Sequence, residues 1–505
     1  MKLTNPPAQV QMPELVGLGV SSRAALLAAM MGVSANAQTS SPITTAPATG
    51  MASSLPGFGT SAGQLGVPSY MDTAAANPPV GSGNPGESFR SLQGLPSNTA
   101  PYTPAPGAAS TIPEGFGLRW ETGAITFSTS VAFIYTDNAL QGSSDFGKQD
   151  DFIVQPMVGM NVLQQVSENA QLSFNVGFGY RYSLNYDDLA QFNLTPNGTI
   201  SYSFVVGDTV FAVFDRINSA GGTRPEIAGN GLSSGVDFNR LSNQVGLSVS
   251  HAFTENTSAS AMYGYTIDRG LSDQFGVLDQ DQHTVSAGAY HRLSPYWTAG
   301  LSGQAVKTTF SQQFQNASTT YGAGPMLSFQ PSDFITLSGS VQYTISEFST
   351  DGQISDTSEF SGLTYQITAS HRITSTISHS VTVSSGVNSG LGSNFTETFT
   401  TGYRAFWQFH ERMGLNLGFT YSKMTQSQSQ QALVPITFPS GTFLVPVSFI
   451  ANDEASTYDF SLGTSYQLTD RANLALNYNH SIRDSRFATR SFSVNTVTLS
   501  INYRF

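Results

Sequence analysis

Apolar and polar residues alternate with a period of two from residue 117 to the end of the chain. Leu172, Phe174, Val176, Phe178, Tyr180 and Tyr182 are interleaved with Ser173, Asn175, Gly177, Gly179 and Arg181. Successive side chains of a β-strand point to opposite faces, so such a stretch predicts a strand with one apolar and one wet face. The same pattern sets Ile335, Leu337, Val341, Tyr343 and Ile345 against Ser338, Ser340, Gln342 and Thr344. Leu415, Leu417, Phe419 and Tyr421 repeat it, as do Tyr458, Phe460, Leu462, Tyr466 and Leu468.

Short polar turns punctuate the pattern at Val166–Asn169, Val206–Asp208, Phe253–Asn256, Leu293–Pro295, Gln330–Asp333, Ile373–Thr376, Phe409–Arg412 and Leu468–Arg471. Successive turns lie about 36–59 residues apart, room for two strands and a longer loop. Eight short turns alternating with long loops predict about 18 strands (16–18) in an all-β, antiparallel, up-and-down barrel spanning 117–505. A barrel of eight strands is filled by its side chains, whereas 16–18 strands leave an aqueous channel. The inward positions are small and neutral, which favours a hydrated lumen.

Composition narrows the setting. Only 11 % of the 505 residues are charged, against ~25 % in a soluble domain. No apolar run approaches the ~20 residues of a membrane helix. A formal net charge of -12 and the lack of a basic stripe argue against nucleic-acid binding. With no Cys there is no disulfide, thiolate metal site or haem-attachment motif. Residues 1–37 combine Lys2 and Arg23, the apolar run Ala24–Val33 and Ala35-Asn36-Ala37, the pattern of a cleaved secretory signal peptide. Residues 38–116, rich in Pro, Ala and Ser, are expected to be a flexible periplasmic linker or a plug.

The last nine residues, Val497–Phe505, alternate strictly and end on an aromatic residue. Leu499, Ile501, Tyr503 and Phe505 resemble the closing strand of Gram-negative outer-membrane β-barrels, where this pattern is the assembly signal. The resemblance extends through topology and parity over 117–505. It is nearer to the loosely defined β-barrel porins than to the trimeric general porins, whose acidic constriction-loop motif is absent. It implies an integral outer-membrane protein that lets small hydrophilic solutes diffuse passively. Its implied partners are outer-membrane lipid, lipopolysaccharide and the barrel-assembly machinery, with oligomeric state open. No enzyme activity, cofactor or metal is expected. A polysaccharide export conduit, a structural or adhesion barrel, and an outer-membrane hydrolase stay open as other readings.

Candidate chemistry is sparse. Parity turns Arg181, Arg292, Arg372, Arg404 and Arg504 inward, and an arginine ring in a lumen favours anions. The same residues could instead fix strand ends by pairing with turn groups. His251, His291 and His371 fall on the opposite, lipid-facing parity. Asp150, Asp151, Asp279, Asp281, Asp351, Asp356 and Glu454 make the long loops acidic, as solvated loops or as bridges to lipid headgroups. Residues 433–450 read as a Pro-interrupted hairpin that could constrict the lumen, with Phe438, Phe443 and Phe449 as candidates. Gly142–Lys148 has P-loop spacing but lacks the Ser/Thr and the following helix. Asn479-His480-Ser481 resembles the trio of outer-membrane phospholipases, but adjacent strand residues point to opposite faces.

Overall fold

The computed structural model describes residues 117–505, apart from 140–147, 187–189, 195–197, 221–239, 272–275, 277–278, 313, 355, 391–392, 428–430, 439–440, 449–453 and 487–490. The signal-peptide and linker expectations for 1–116 lie outside the described residues, as do Phe449 and most of the P-loop-like stretch. The described residues form β-strands and no α-helix. In chain order these are β1 (Leu118–Trp120), β2 (Gly123–Thr136), β3 (Asp151–Ser167), β4 (Ala170–Ser183), β5 (Gln191–Leu194), β6 (Gly198–Val206) and β7 (Thr209–Ala220). Then come β8 (Arg240–Thr254), β9 (Thr257–Gly270), β10 (Gln280–Arg292), β11 (Trp297–Phe310), β12 (Ser318–Ser332), β13 (Ile335–Phe348), β14 (Phe360–Arg372) and β15 (Ile377–Ser389). The chain ends with β16 (Phe395–His410), β17 (Met413–Gln426), β18 (Gln431–Phe438), β19 (Gly441–Ser448), β20 (Glu454–Gln467), β21 (Ala472–Ser485) and β22 (Phe492–Arg504).

All but β18 and β19 belong to one antiparallel sheet, in which strands pair in sequence order except that β6 passes β5 to pair with β4 and β17 pairs with β20. The sheet closes where β22 meets β2, from Ser128↔Arg504 to Thr136↔Thr496. Below that, β1 takes over from β22 as the partner of β2, and Gly117 N–H donates to the Phe505 carbonyl at 2.9 Å. In the same way β5 and β6 together line β4. The 20-stranded sheet therefore has 18 wall positions, the strand number expected from the turns. Closure removes the unpaired edges that an open sheet would expose.

All eight predicted short turns connect consecutive strands. At the tightest, Gly207 has φ 58°, a left-handed conformation that glycine adopts at no steric cost. Parity also holds around the wall. Phe178, Tyr180, Leu301, Tyr343, Leu363, Trp407, Phe460, Leu476 and Ile501 stand exposed on the outside. Ser248, Thr284, Ser338, Ser384, Ser481 and Ser500 face inward. This is the reverse of a soluble barrel, which buries its apolar face.

Two departures from regularity matter for the interior. The ladder between β14 and β15 runs only from Arg372↔Ser378 to Tyr365↔Ser385, so Phe360–Thr364 are not paired with β15. The hairpin β18–β19 forms as expected, with Phe438↔Gly441 and Ile436↔Phe443 in register, as a separate two-stranded sheet.

Candidate functional site

The interior wall is where chemistry can act on a solute. Inward parity is set by the exposed aromatic and aliphatic neighbours on each strand. It places Arg181, Arg216, Arg292, Arg372, Arg404, Arg483 and Arg504 inside, against Asp151, Asp268 and Asp459 among the described side chains. The arginines form two tiers. Arg292, Arg372 and Arg504 are the last residues of β10, β14 and β22, at the short-turn end, and Arg404 lies six residues before the end of β16. No inward Asp or Glu on the described strands stands at the level of Arg292, Arg372 and Arg504, whereas Arg404 lies two strands and two rungs from Asp459. Arg181, Arg216 and Arg483 stand toward the long-loop end with Asp151 and Asp268, and Asp459 lies near the middle of β20.

Arg372 makes contacts of the kind the strand-end reading expects. Its Nη2 donates to the Asp333 carbonyl at 3.0 Å and its guanidinium lies 5.3 Å from the Phe334 ring, which anchors a strand end. Its charge nevertheless stays at the lower mouth. Arg181 and Arg483 are only 5 % exposed, so their charges are packed into the wall lining. Arg216 lies 4.3 Å over the Phe214 ring and donates to Gln244 Oε1 at 3.3 Å. Arg216 and Arg483 follow the same inward parity but were not singled out from the sequence, although counting along β7 and β21 finds them.

At the long-loop end a buried polar knot narrows the picture. Asp356 is 3 % exposed, which corrects the expectation that the acidic loop residues are all solvated. Its carboxylate accepts from Ser358 N–H at 2.8 Å, Asn394 N–H at 2.8 Å and Ser427 Oγ at 2.7 Å. Asn316 Nδ2 reaches the Asp356 carbonyl at 3.1 Å and Asn394 Oδ1 at 2.8 Å. A buried carboxylate is tolerated because donors replace its water. The Asp356 side chain thus ties the loop β13–β14 to the loop β15–β16 and to the end of β17, and Asn316 joins the loop β11–β12 to them through the Asp356 carbonyl and Asn394. Phe360 and Phe395 pack edge to face beneath it, centroids 5.5 Å apart. Asp151, 1 % exposed, is held similarly by Ser183 Oγ at 2.6 Å and by the N–H of Phe152 and Asn185.

A third carboxylate clasps the closing seam. Asp137, just beyond β2, accepts from the N–H and Nδ2 of Asn495, both at 2.7 Å, and from Lys148 Nζ at 2.9 Å. Burial alone would raise its pKa, but the donors from Asn495 and Lys148 outweigh it and hold the carboxyl below its ordinary value.

The remaining predicted residues fall as follows. Leu499, Ile501, Tyr503 and Phe505 project outward from β22 and its end, and Phe505 N–H donates to the Phe127 carbonyl at 2.9 Å. Phe438 and Phe443 sit on β18 and β19, outside the barrel ladder. His251 and His291 are on the outer wall, each held through Nδ1 by a threonine, Thr209 at 2.8 Å and Thr257 at 2.9 Å. His371 is not isolated: it meets His379 across the β14–β15 hairpin at 3.1 Å. His480 faces outward onto Asn495, whereas Ser481 is buried on the inner face, so the two do not form a catalytic pair.

No protein-family model matches the chain, and no curated protein is similar to it. Solved structures similar in path are outer-membrane proteins. The crystal structure of OpdK from Pseudomonas aeruginosa with vanillate covers 75 % of this chain and 99 % of its own, at 10 % identity and a TM-score of 0.43. OccK2 (OpdF) of the same organism covers 75 % and 98 %, at 10 % and 0.43. OccAB3 of Acinetobacter baumannii covers 75 % and 99 %, at 11 % and 0.42. Identities this low leave no side-chain correspondence to carry over.

Proposed function

We propose that this protein is an integral outer-membrane channel through which small hydrophilic solutes diffuse passively, with anions favoured over cations. The observation that carries the reading is a closed wall of 18 strand positions, apolar outside and polar inside, whose described interior holds seven arginines and three aspartates. In a bilayer every backbone polar group must be paired within the protein, and a closed barrel meets that condition. The exposed aromatic and aliphatic exterior then has lipid to cover it. Inside, hydroxyls and amides keep water in the path, and fixed guanidinium charge lowers the energy of a passing anion.

Transport down a gradient needs no transition state to be stabilised, so the channel works without a catalytic group. The alternating, outward-facing residues Leu499, Ile501, Tyr503 and Phe505 serve as the assembly signal of the last strand. Residues 38–116 are a linker or plug on the periplasmic side.

Planar-bilayer recording of the refolded protein, with and without residues 38–115, tests the reading. Steady steps in both forms are expected of an open pore with a trailing linker, and steps only after truncation make the segment a plug. Folded protein that conducts in neither form overturns the channel.

A further inference from the structure

Three lysines fall within the described residues, and two of them have carboxylate partners. Lys148 is paired with Asp137 and Lys423 with Glu454. Lys307 is exposed on β11, on the outer wall, and makes no hydrogen bond or ion pair with any described residue. Its partners across the ladder are His283 on β10 and Thr319 on β12.

His283 is also exposed and its ring is held in place. Nδ1 lies 2.9 Å from the Tyr263 hydroxyl, and the ring centroid is 4.8 Å from that of Tyr265. With Nδ1 engaged by Tyr263, Nε2 is the ring nitrogen left to face a ligand, and it carries the proton when the Tyr263 hydroxyl donates to Nδ1. Close by on the same outer face, Arg269 donates to Asp281 at 2.6 Å, so these two charges cancel. Lys307 is thus a cation that no described carboxylate contacts; the next acid on this face, Glu347, is exposed two strands away on β13, opposite Thr319.

Height decides what can meet that charge. Lys307 is ten residues beyond Trp297 on the same strand, which at ~3.3 Å per residue and a ~40° tilt is about 25 Å. Trp297 stacks on Phe329, centroids 4.2 Å apart, as an aromatic girdle at the short-turn end. An outer-membrane barrel shows an apolar band of about 25 Å between its girdles. Lys307 therefore stands at the far edge of the band, at the headgroup level of the outer leaflet, where a cation on the lipid face needs a counter-charge.

We propose that Lys307 and His283 Nε2 bind the phosphate of a phosphorylated glycolipid, the lipid A part of lipopolysaccharide, on the outer wall. Tyr263 and Tyr265 position the imidazole, and the Arg269–Asp281 pair closes the side toward β9. The ammonium is a point charge with three donors and the imidazole adds one more, a set suited to a phosphate with several acceptor oxygens. The inference rests on the outer-membrane reading above.

The test titrates refolded full-length protein in detergent with bisphosphorylated lipid A, the same lipid dephosphorylated, phosphatidylglycerol and inorganic phosphate. Binding is read by native mass spectrometry and by the rise in heat-unfolding temperature on seminative gels. Bisphosphorylated lipid A is expected to bind the native protein, Lys307→Gln to bind it about ten-fold more weakly, and Lys307→Arg to recover most of the loss. His283→Gln should weaken binding as well. Equal affinity in the native protein and in the double variant Lys307→Gln/His283→Gln overturns the site. So does equal binding of the dephosphorylated lipid. Inorganic phosphate or phosphatidylglycerol matching lipid A overturns its assignment to the glycolipid. Lys307 faces away from the lumen, so conductance of Lys307→Gln should equal that of the native protein. Lost lipid binding with intact conductance is thereby distinguished from failure of the channel itself.

Discussion

Replacing the lower tier of arginines by glutamine, Arg292, Arg372, Arg404 and Arg504 together, should cut the preference for anions by a calculable amount. Eighteen wall positions spaced ~4.8 Å apart and tilted ~40° give a circumference of about 113 Å and a radius of about 18 Å. An inward arginine then holds its charge about 11 Å from the axis. In water, one such charge acts on a monovalent ion at the axis with about 0.4 kcal/mol, and four with about 1.5 kcal/mol. Salt at 0.1 M, with a Debye length of ~10 Å, reduces this about three-fold to ~0.5 kcal/mol. The sign is opposite for anion and cation, so the difference is about 1 kcal/mol, or roughly five-fold in permeability ratio. Reversal potentials across a two-fold KCl gradient near 0.1 M measure that ratio directly. At 1 M salt, where the Debye length is ~3 Å, the difference between variant and native protein should vanish. A native protein without anion preference at 0.1 M, or a four-fold variant with an unchanged reversal potential, would refute the electrostatic role of this tier. A change that persists at 1 M salt would point to altered pore shape in place of charge.

Three other expectations concern stability and assembly. Asp356→Ala strips three donors of a buried acceptor and should cost about 3–5 kcal/mol locally, seen as proteolytic nicking in 349–359 and 390–394 while the barrel still migrates as folded. Unchanged nicking would mean that the loops hold without their carboxylate. The depressed pKa of Asp137 adds stability that is complete above its ordinary value near 3.8 and is lost as pH falls through the folded value. Asp137→Asn should therefore show a smaller loss of urea resistance than the native protein between pH 5 and pH 2, and parallel acid curves would contradict the seam clasp. Deleting Phe505 removes the last residue of the proposed assembly signal and the hydrogen bond from its N–H to the Phe127 carbonyl. The truncated chain should accumulate unfolded in cells yet refold in detergent, and normal assembly in cells would contradict the signal.

Periodicity made the wall legible. Each short turn can be placed from a few polar residues because a hairpin reverses the chain locally, and parity follows once one strand face is assigned. The His371–His379 contact was within reach as well, since the turn Ile373–Thr376 sets the register that brings them opposite. The loop knot was not. Asp356 meets Ser427 across 71 residues and Asn316 meets Asn394 across 78, and loop residues carry no period to announce such meetings. Asp151 and Asp356 share the composition of solvated loop acids, and their burial depends on donors brought from other strands. The handover from β22 to β1 was hidden for a similar reason: Gly117–Trp120 is too short for a pattern, and it gains meaning only beside Phe505.

The early parting of β14 from β15 makes the barrel a split collar, complete for most of its height and cut at the long-loop rim. What crosses the cut is the clasp centred on Asp356, whose hydrogen bonds come from both sides of it. The rim is held there by contacts between loops, the Asp356 carboxylate on Asn394, Asn394 Nδ2 on the Ser358 carbonyl and Phe360 against Phe395, in place of ladder rungs. Fastened, the collar holds its mouth at one bore. Unfastened, the same strands could lean apart like a cuff, widening the entrance with no change in the wall below.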